Sequence, residues 1–225
     1  MTKKVAREIA LKTLKSAPIA ARRAQSAKAA SFLKNLLKTI EFKSAAIYVA
    51  MPHEVNLRRI FPYLRRRAKL FAPRVSDKIN GSMKMVKFRL PLERADFGIY
   101  APRNSPDFTC DRAAEKLDLI IAPAISASRN LTRVGFGGGF YDRFWARYYG
   151  KSLSGLGSKK PIVILTQPIP LIADFAGDLR DIKGDYLVSS KGIIRNFRDK
   201  NGRSDNKFGN GGGVRFRGVV RNEKN

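Results

Sequence analysis

The chain holds one cysteine, Cys110, among its 225 residues. No internal disulfide is possible, and nothing in that count points to an oxidising compartment. Beside Asp111 and Arg112, Cys110 reads as a passive side chain or as a reactive thiol. Long apolar runs are absent too. The longest, such as Leu117 to Ile125, are strand-sized and end in turn residues, so no membrane span is expected. The N-terminus lacks the apolar stretch of a secretory signal, although it is basic and rich in Ala and Ser, as transit peptides are. Acidic residues are scarce: 18 Asp+Glu stand against 45 Lys+Arg, a net charge of +27. An enzyme of small molecules does not need that field. It attracts polyanions, RNA and ribonucleoprotein among them, unless it reflects only the compositional drift of a proteome.

With 44% hydrophobic residues the chain can build one sizeable core. Residues 4–40 read as helix, with Phe32, Leu33, Leu36, Leu37 and Ile40 at three- and four-residue steps and a break or cap expected at Gln25–Ser26. Ala45 to Met51 reads as a buried strand and Leu57 to Arg67 as a helix. Lys69 to Val75 reads as a strand limited by Pro73. Met83 to Leu90, Leu117 to Ile125, Pro161 to Gln167 and Tyr186 to Ser190 complete the strands. Gly135 to Gly139 reads as a loop and Phe140 to Tyr149 as a helix. Alternating helices and strands predict a single three-layer α/β/α domain with a mostly parallel sheet over residues 1–195. Residues 196–225 form a basic, Gly- and Asn-rich tail expected to be disordered alone. In it Arg215, Phe216, Arg217 and Arg221 make a weak RNA-binding pattern or a plain solubilising one.

The segment richest in chemistry is Arg133-Val-Gly135-Phe-Gly137-Gly138-Gly139-Phe140-Tyr141-Asp142-Arg143. It follows a buried strand and opens a helix. Glycines let the backbone take positive φ and turn successive N–H groups toward an anion. The helix start adds unpaired amides and the positive end of its dipole. Arg133 and Arg143 could neutralise phosphate oxygens, and Asp142 could hold Mg²⁺ between them. No Lys-Ser/Thr follows, so this is not a Walker loop. The consecutive glycines do not fit a dinucleotide fingerprint either.

The string RVGFGGGFYDR resembles the signature of the 5-formyltetrahydrofolate cyclo-ligase family. Other pieces fall in that family's order. Lys3 and Arg7, with Ser26 nineteen residues after Arg7, resemble its N-terminal ATP-contacting helix and the start of the next. Tyr48 to Val55 resembles the strand and loop bearing a substrate-contacting glutamate. Pro73-Arg74-Val75, Met83 to Met85, Phe97-Gly98-Ile99, Leu117 to Ile120, Gln167, Asp181 and Asp185 follow. The likeness covers residues 3–195 and places Lys3 and Arg7 in the mature fold. The chain departs from the pattern at Ala127, Ser128 and Leu131, where the family usually has Phe, Asp and Gly. It also departs at Ala101, where Glu is frequent, at Arg180 and at Ser189–Ser190.

The resemblance implies ATP-dependent cyclisation of 5-formyltetrahydrofolate to 5,10-methenyltetrahydrofolate through a phosphorylated formyl group, with ATP and Mg²⁺ as cofactors. It assigns Lys3, Arg7, Arg133 and Arg143 to phosphates, with Gly135, Gly137, Gly138 and Gly139 as the cradle. Asp142 is then the first metal candidate and Asp181 the second. Glu54 would face the pterin donor edge, and Met51, Met85 and Tyr141 would pack on the ring. Plainer readings stand beside these. Lys3 and Arg7 could be solvated helix charges, Asp142 could pair with Arg143, Glu54 with Arg58, and Met51 and Met85 could fill the core. His53 reads as a loop residue and Trp145 as packing. The expected partners are ATP and a reduced folate, with RNA or a ribosome as the alternative. A monomer in the cytoplasm, or in an organelle matrix, is expected.

Overall fold

Two central strands are apolar at every position but one, Thr166 at the end of the second. In β6 (Leu119–Pro123) and β9 (Ile162–Thr166), Leu119, Ile121 and Ile164 turn to one face, and Ile120, Val163 and Leu165 to the other. All of them are buried. Such strands need cover on both faces, and the chain supplies it. The computed structural model describes residues 1–77, 79–95, 99–102, 117–150, 160–178 and 180–196. In it α2 (Ile19–Lys38) and α3 (Phe61–Arg67) cover one face through Leu33, Leu37 and Leu64. On the other face α4 (Phe140–Tyr149) packs Phe144, Trp145 and Tyr148. The fold is therefore three-layered.

The seven-stranded sheet runs β12-β11-β9-β6-β1-β2-β3. Its members are β1 (Ser44–Ala46), β2 (Lys69–Asp77), β3 (Ser82–Lys87), β11 (Tyr186–Ser189) and β12 (Gly192–Arg195), with β6 and β9 between. From β11 to β2 the neighbours are parallel, and both edge strands are antiparallel. A small sheet of β10 (Ile172–Ala173), β7 (Ser126–Ser128) and β8 (Arg133–Val134) lies beside it, and β4 (Leu92–Arg94) pairs with β5 (Tyr100–Pro102).

Several elements differ from the sequence expectation. The long N-terminal helix is two helices, α1 (Lys3–Ser16) and α2, and the break is at Ala17–Pro18 rather than Gln25–Ser26. Pro18 has no N–H and disfavours helix at the residue before it. Ser26 sits inside α2, where its hydroxyl accepts the Asn56 N–H at 2.9 Å. Pro73 does not shorten its strand, which runs on to Asp77. The Phe88 N–H donates to Leu70 O, so alternate positions from Leu70 bond β3, and Pro73 turns its missing donor toward the side where β1 has already ended. The regular part of β1 is only three residues long. β12 was not expected. Asn196, where the tail was expected to start, is still anchored: its side chain donates to Asn130 O and Gly184 O. The rest of that tail and Cys110 lie outside the described residues.

Candidate active site

α1 is built to carry charge inward. Ala6, Ala10 and Leu14 recur every four residues and pack on Ile125, Val134 and Phe175. That packing brings Lys3 and Arg7, one turn apart, against the glycine loop. Arg7 Nε donates to Gly135 O at 3.0 Å. Lys3 Nζ lies 2.5 Å from Asp181 Oδ1 and 3.2 Å from Asp142 Oδ2. Neither basic residue is a free surface charge. The pairing of Asp142 with Arg143 does not form; Asp142 accepts from Lys3 and, through Oδ1, from the Ile182 N–H at 3.3 Å. The other Asp181 oxygen accepts the Asp178 N–H.

The loop itself uses glycine where glycine is needed. Gly137 has φ +115° and Gly139, the residue capping α4, has φ +64°; side chains rarely adopt such angles. Two guanidiniums hold its carbonyls: Arg7 at Gly135 O, and Arg143, which donates to Gly138 O and to Gly81 O on the β2–β3 turn. The amides of Gly137, Gly138 and Gly139 donate to no protein acceptor among the described residues. They stand beside the start of α4, the positive end of its dipole.

A cleft of about 430 Å³ opens on this loop. It lies beyond the carboxyl ends of β1 and β6, where open α/β sheets place ligands. Met51, His53 and Glu54 line it from the loop after β1, and Arg7, Arg133 and Tyr141 line it beside the glycines. Tyr48 shapes that wall: its hydroxyl donates to Val55 O and shares a hydrogen bond with Thr166 Oγ1, both at 2.8 Å.

Glu54 is the electrostatic centre. It is 8% exposed, and its Oε2 accepts the Met51 N–H at 2.8 Å. Its partner is therefore that amide rather than Arg58. Burial raises its pKa to about 7, although the Met51 amide and the Arg133 charge pull it down. Arg133 is buried, donates from Nε to Pro123 O at 2.6 Å, and stacks over the Tyr141 ring at 4.7 Å. Burial also pushes the Tyr141 hydroxyl well up, against the pull of Arg133.

The buried Glu54 carboxyl ties stability to pH. Its folded pKa of about 7 lies above the usual 4.5, so between those values the folded state keeps a proton that the unfolded chain releases. Stability should fall as pH rises through that window and level off above it, by on the order of 3 kcal/mol. Chemical denaturation at pH 5 and pH 8 checks this, and Glu54→Gln should flatten the difference.

The site thus gathers Lys3, Arg7, Met51, Glu54, Arg133, the four glycines, Tyr141, Asp142 and Asp181 around one loop and cleft. Two residues fall elsewhere. Met85 is buried among core side chains of β3 and does not line the cleft, so the plainer reading applies to it: β-strand alternation sends it under the sheet. Arg143 also lies off the cleft lining and braces the loop from outside. Trp145 packs in the core as expected. No motif or spacing places Arg22 here, yet its guanidinium holds His53 at the cleft wall. The departure at Leu131 is also explained. This residue has φ +56° and is fully buried. The left-handed backbone explains a glycine at this place, and burying leucine offsets a strain of roughly 1–2 kcal/mol.

The model of the 5-formyltetrahydrofolate cyclo-ligase family matches residues 1–169. The chain is 28% identical over 214 residues to the mitochondrial 5-formyltetrahydrofolate cyclo-ligase of Arabidopsis thaliana, covering 85% of this chain and 75% of that protein. It is 23% identical to the 5-formyltetrahydrofolate cyclo-ligase of Haemophilus influenzae, over 55% of this chain and 66% of that one. The NMR structure of 5,10-methenyltetrahydrofolate synthetase from Aquifex aeolicus superposes with a TM-score of 0.66 at 26% identity, over 91% of this chain and 96% of the other.

Proposed function

The chain belongs to the 5-formyltetrahydrofolate cyclo-ligase family, and from that membership we propose that its cleft closes the formyl group of 5-formyltetrahydrofolate onto N10 at the expense of ATP. The observation that carries the reading is the set of Gly137, Gly138 and Gly139 amides, without a protein acceptor among the described residues, on the wall of a cleft that Glu54 also lines. An amide-like formyl carbon is a poor electrophile. Its oxygen attacks the γ-phosphorus of ATP, and ADP leaves. N10 then attacks the activated formyl carbon and loses its proton. The C–O bond breaks, phosphate departs, and the methenyl ring is complete.

The chain's residues contribute position and charge rather than a covalent nucleophile. The loop amides and Arg7 take the phosphate oxygens. Glu54, once ionised, accepts from the ring N–H and amino group of the pterin, a paired donor edge that suits a carboxylate. Arg133 supports this from beneath: it stacks on Tyr141, and its charge favours the ionised Glu54. Met51 and Tyr141 wall the flat ring. Mg²⁺ would be held by Asp142 with Asp181 and would screen the phosphates. Lys3 lies between those two carboxylates and would then turn to a phosphate oxygen.

The test is direct. Purified protein mixed with ATP, Mg²⁺ and 5-formyltetrahydrofolate should generate methenyl absorbance with one ADP per ring closed. A folded protein giving neither would overturn the reading. The alternative, a scaffold that binds RNA or a ribosome, rests on charge and on a tail outside the described residues. The names of the relatives reported above describe enzymes of folate chemistry.

A further inference from the structure

Positive charge without a matching carboxylate among the described residues sits behind His53, a residue of the cleft wall. Arg22 of α2 places Nη1 against Nδ1 of His53, which lines the cleft. A guanidinium only donates, so Nδ1 is the acceptor and the proton of the neutral ring is on Nε2. Burial, with Arg22 and Lys15 nearby, holds His53 below its ordinary pKa. The Arg22 Nε is shielded from solvent and has no hydrogen-bond partner. Among the described residues no carboxylate lies within ion-pair distance of Arg22 or Lys15. A part-buried cation with no counter-charge is costly unless an anion joins it.

We propose that Arg22, with His53 and Lys15, forms the subsite for the carboxylate-bearing glutamyl arm of the folate. This rests on reading the cleft as a folate site. A folate is a flat donor-edged ring at one end and a dicarboxylate at the other. Glu54, next to His53 in the chain, suits the ring and repels an anion. Arg22, which meets His53 from α2, supplies the opposite preference at that end of the cleft, with Lys15 and the Nε2–H of His53. The loop amides and Arg7 account for the phosphates separately.

Equilibrium binding of 5-formyltetrahydrofolate and of its α,γ-diamide, which lacks both charges, tests the assignment. Arg22→Ala should weaken the acid about tenfold and the diamide less than about twofold, a difference expected for one charge-assisted contact. His53→Ala should show the same selectivity more weakly, and Arg22→Lys should restore part of the affinity. ATP affinity should not change. Should Arg22→Ala fail to fold, the other two variants decide. Equal losses on acid and diamide, or a loss confined to ATP, would overturn the subsite. Wild-type protein that binds acid and diamide equally sinks this inference alone. Wild-type protein that binds neither removes the folate reading with it.

Discussion

Replacing Gly138 with valine should lower ATP affinity by about a hundredfold while the protein keeps its helical signal and its unfolding cooperativity. A Cβ at this position would lie 2.7 Å from Phe140 Cε2 and 2.8 Å from Cδ2, so the ring must move, and it stands at the start of α4. The branched side chain would also crowd the amides that face the cleft. Losing two or three anion-bound N–H groups costs about 3 kcal/mol, which sets the magnitude. The sheet core does not involve this residue, so global stability should change little. Gly138→Ala is the graded control, with a smaller loss. Titration of ATP in a calorimeter reads both. Unchanged affinity in the valine variant would show that the phosphates lie elsewhere.

The second large effect concerns Glu54, where activity and stability should move in opposite directions. Glu54→Gln removes a buried carboxylate whose ionised form is disfavoured up to about pH 7. At pH 8 the variant should be more stable than the parent, because the amide carries no charge to desolvate. Its kcat/KM should fall about a hundredfold, because an amide offers the pterin only one acceptor and adds a clashing donor. The parent's kcat/KM should rise with pH through about 7 as Glu54 ionises, and the variant's should lose that limb. A variant equally active, with the same pH profile, would remove Glu54 from the site. Stability given up for an ionisable group in a cleft is the pattern of a functional residue.

The layered fold was legible because its signals are local. The apolar runs of β6 and β9 and the helix after the glycines can be read from period and composition, and α4 has the bounds expected of it. What escaped depends on distant partners. β12 is short and is held by pairing with β11. The three strands of the small sheet have two or three residues each, too few for a period to show. Pro73 misled because whether its missing N–H matters depends on how far β1 extends. The helix break was misplaced because Ser26 looks like a cap, while its hydroxyl serves the Asn56 amide thirty residues away.

The site was legible in part for the same reason. The glycine cluster announces its backbone requirement, and Gly137 and Gly139 carry it out. Family spacing pointed to Lys3 and Arg7, and helix periodicity explains why both face the loop. Spacing could not tell which arginine of the motif enters the cleft. Arg133 does, and Arg143 braces the Gly138 carbonyl from behind. Nor could it tell that Met85 points under the sheet, that Lys3 bridges Asp142 and Asp181, or that Arg22 meets His53. Those facts arise from packing between elements remote in sequence.

The most direct measurement follows the formyl oxygen. With 5-formyltetrahydrofolate carrying oxygen-18 in its formyl group, one turnover in the presence of ATP should place the label in inorganic phosphate, one atom for each methenyl ring formed. Ring closure that releases the label as water, leaving phosphate unlabelled, would contradict transfer of the phosphoryl group to substrate at the Gly137–Gly139 loop.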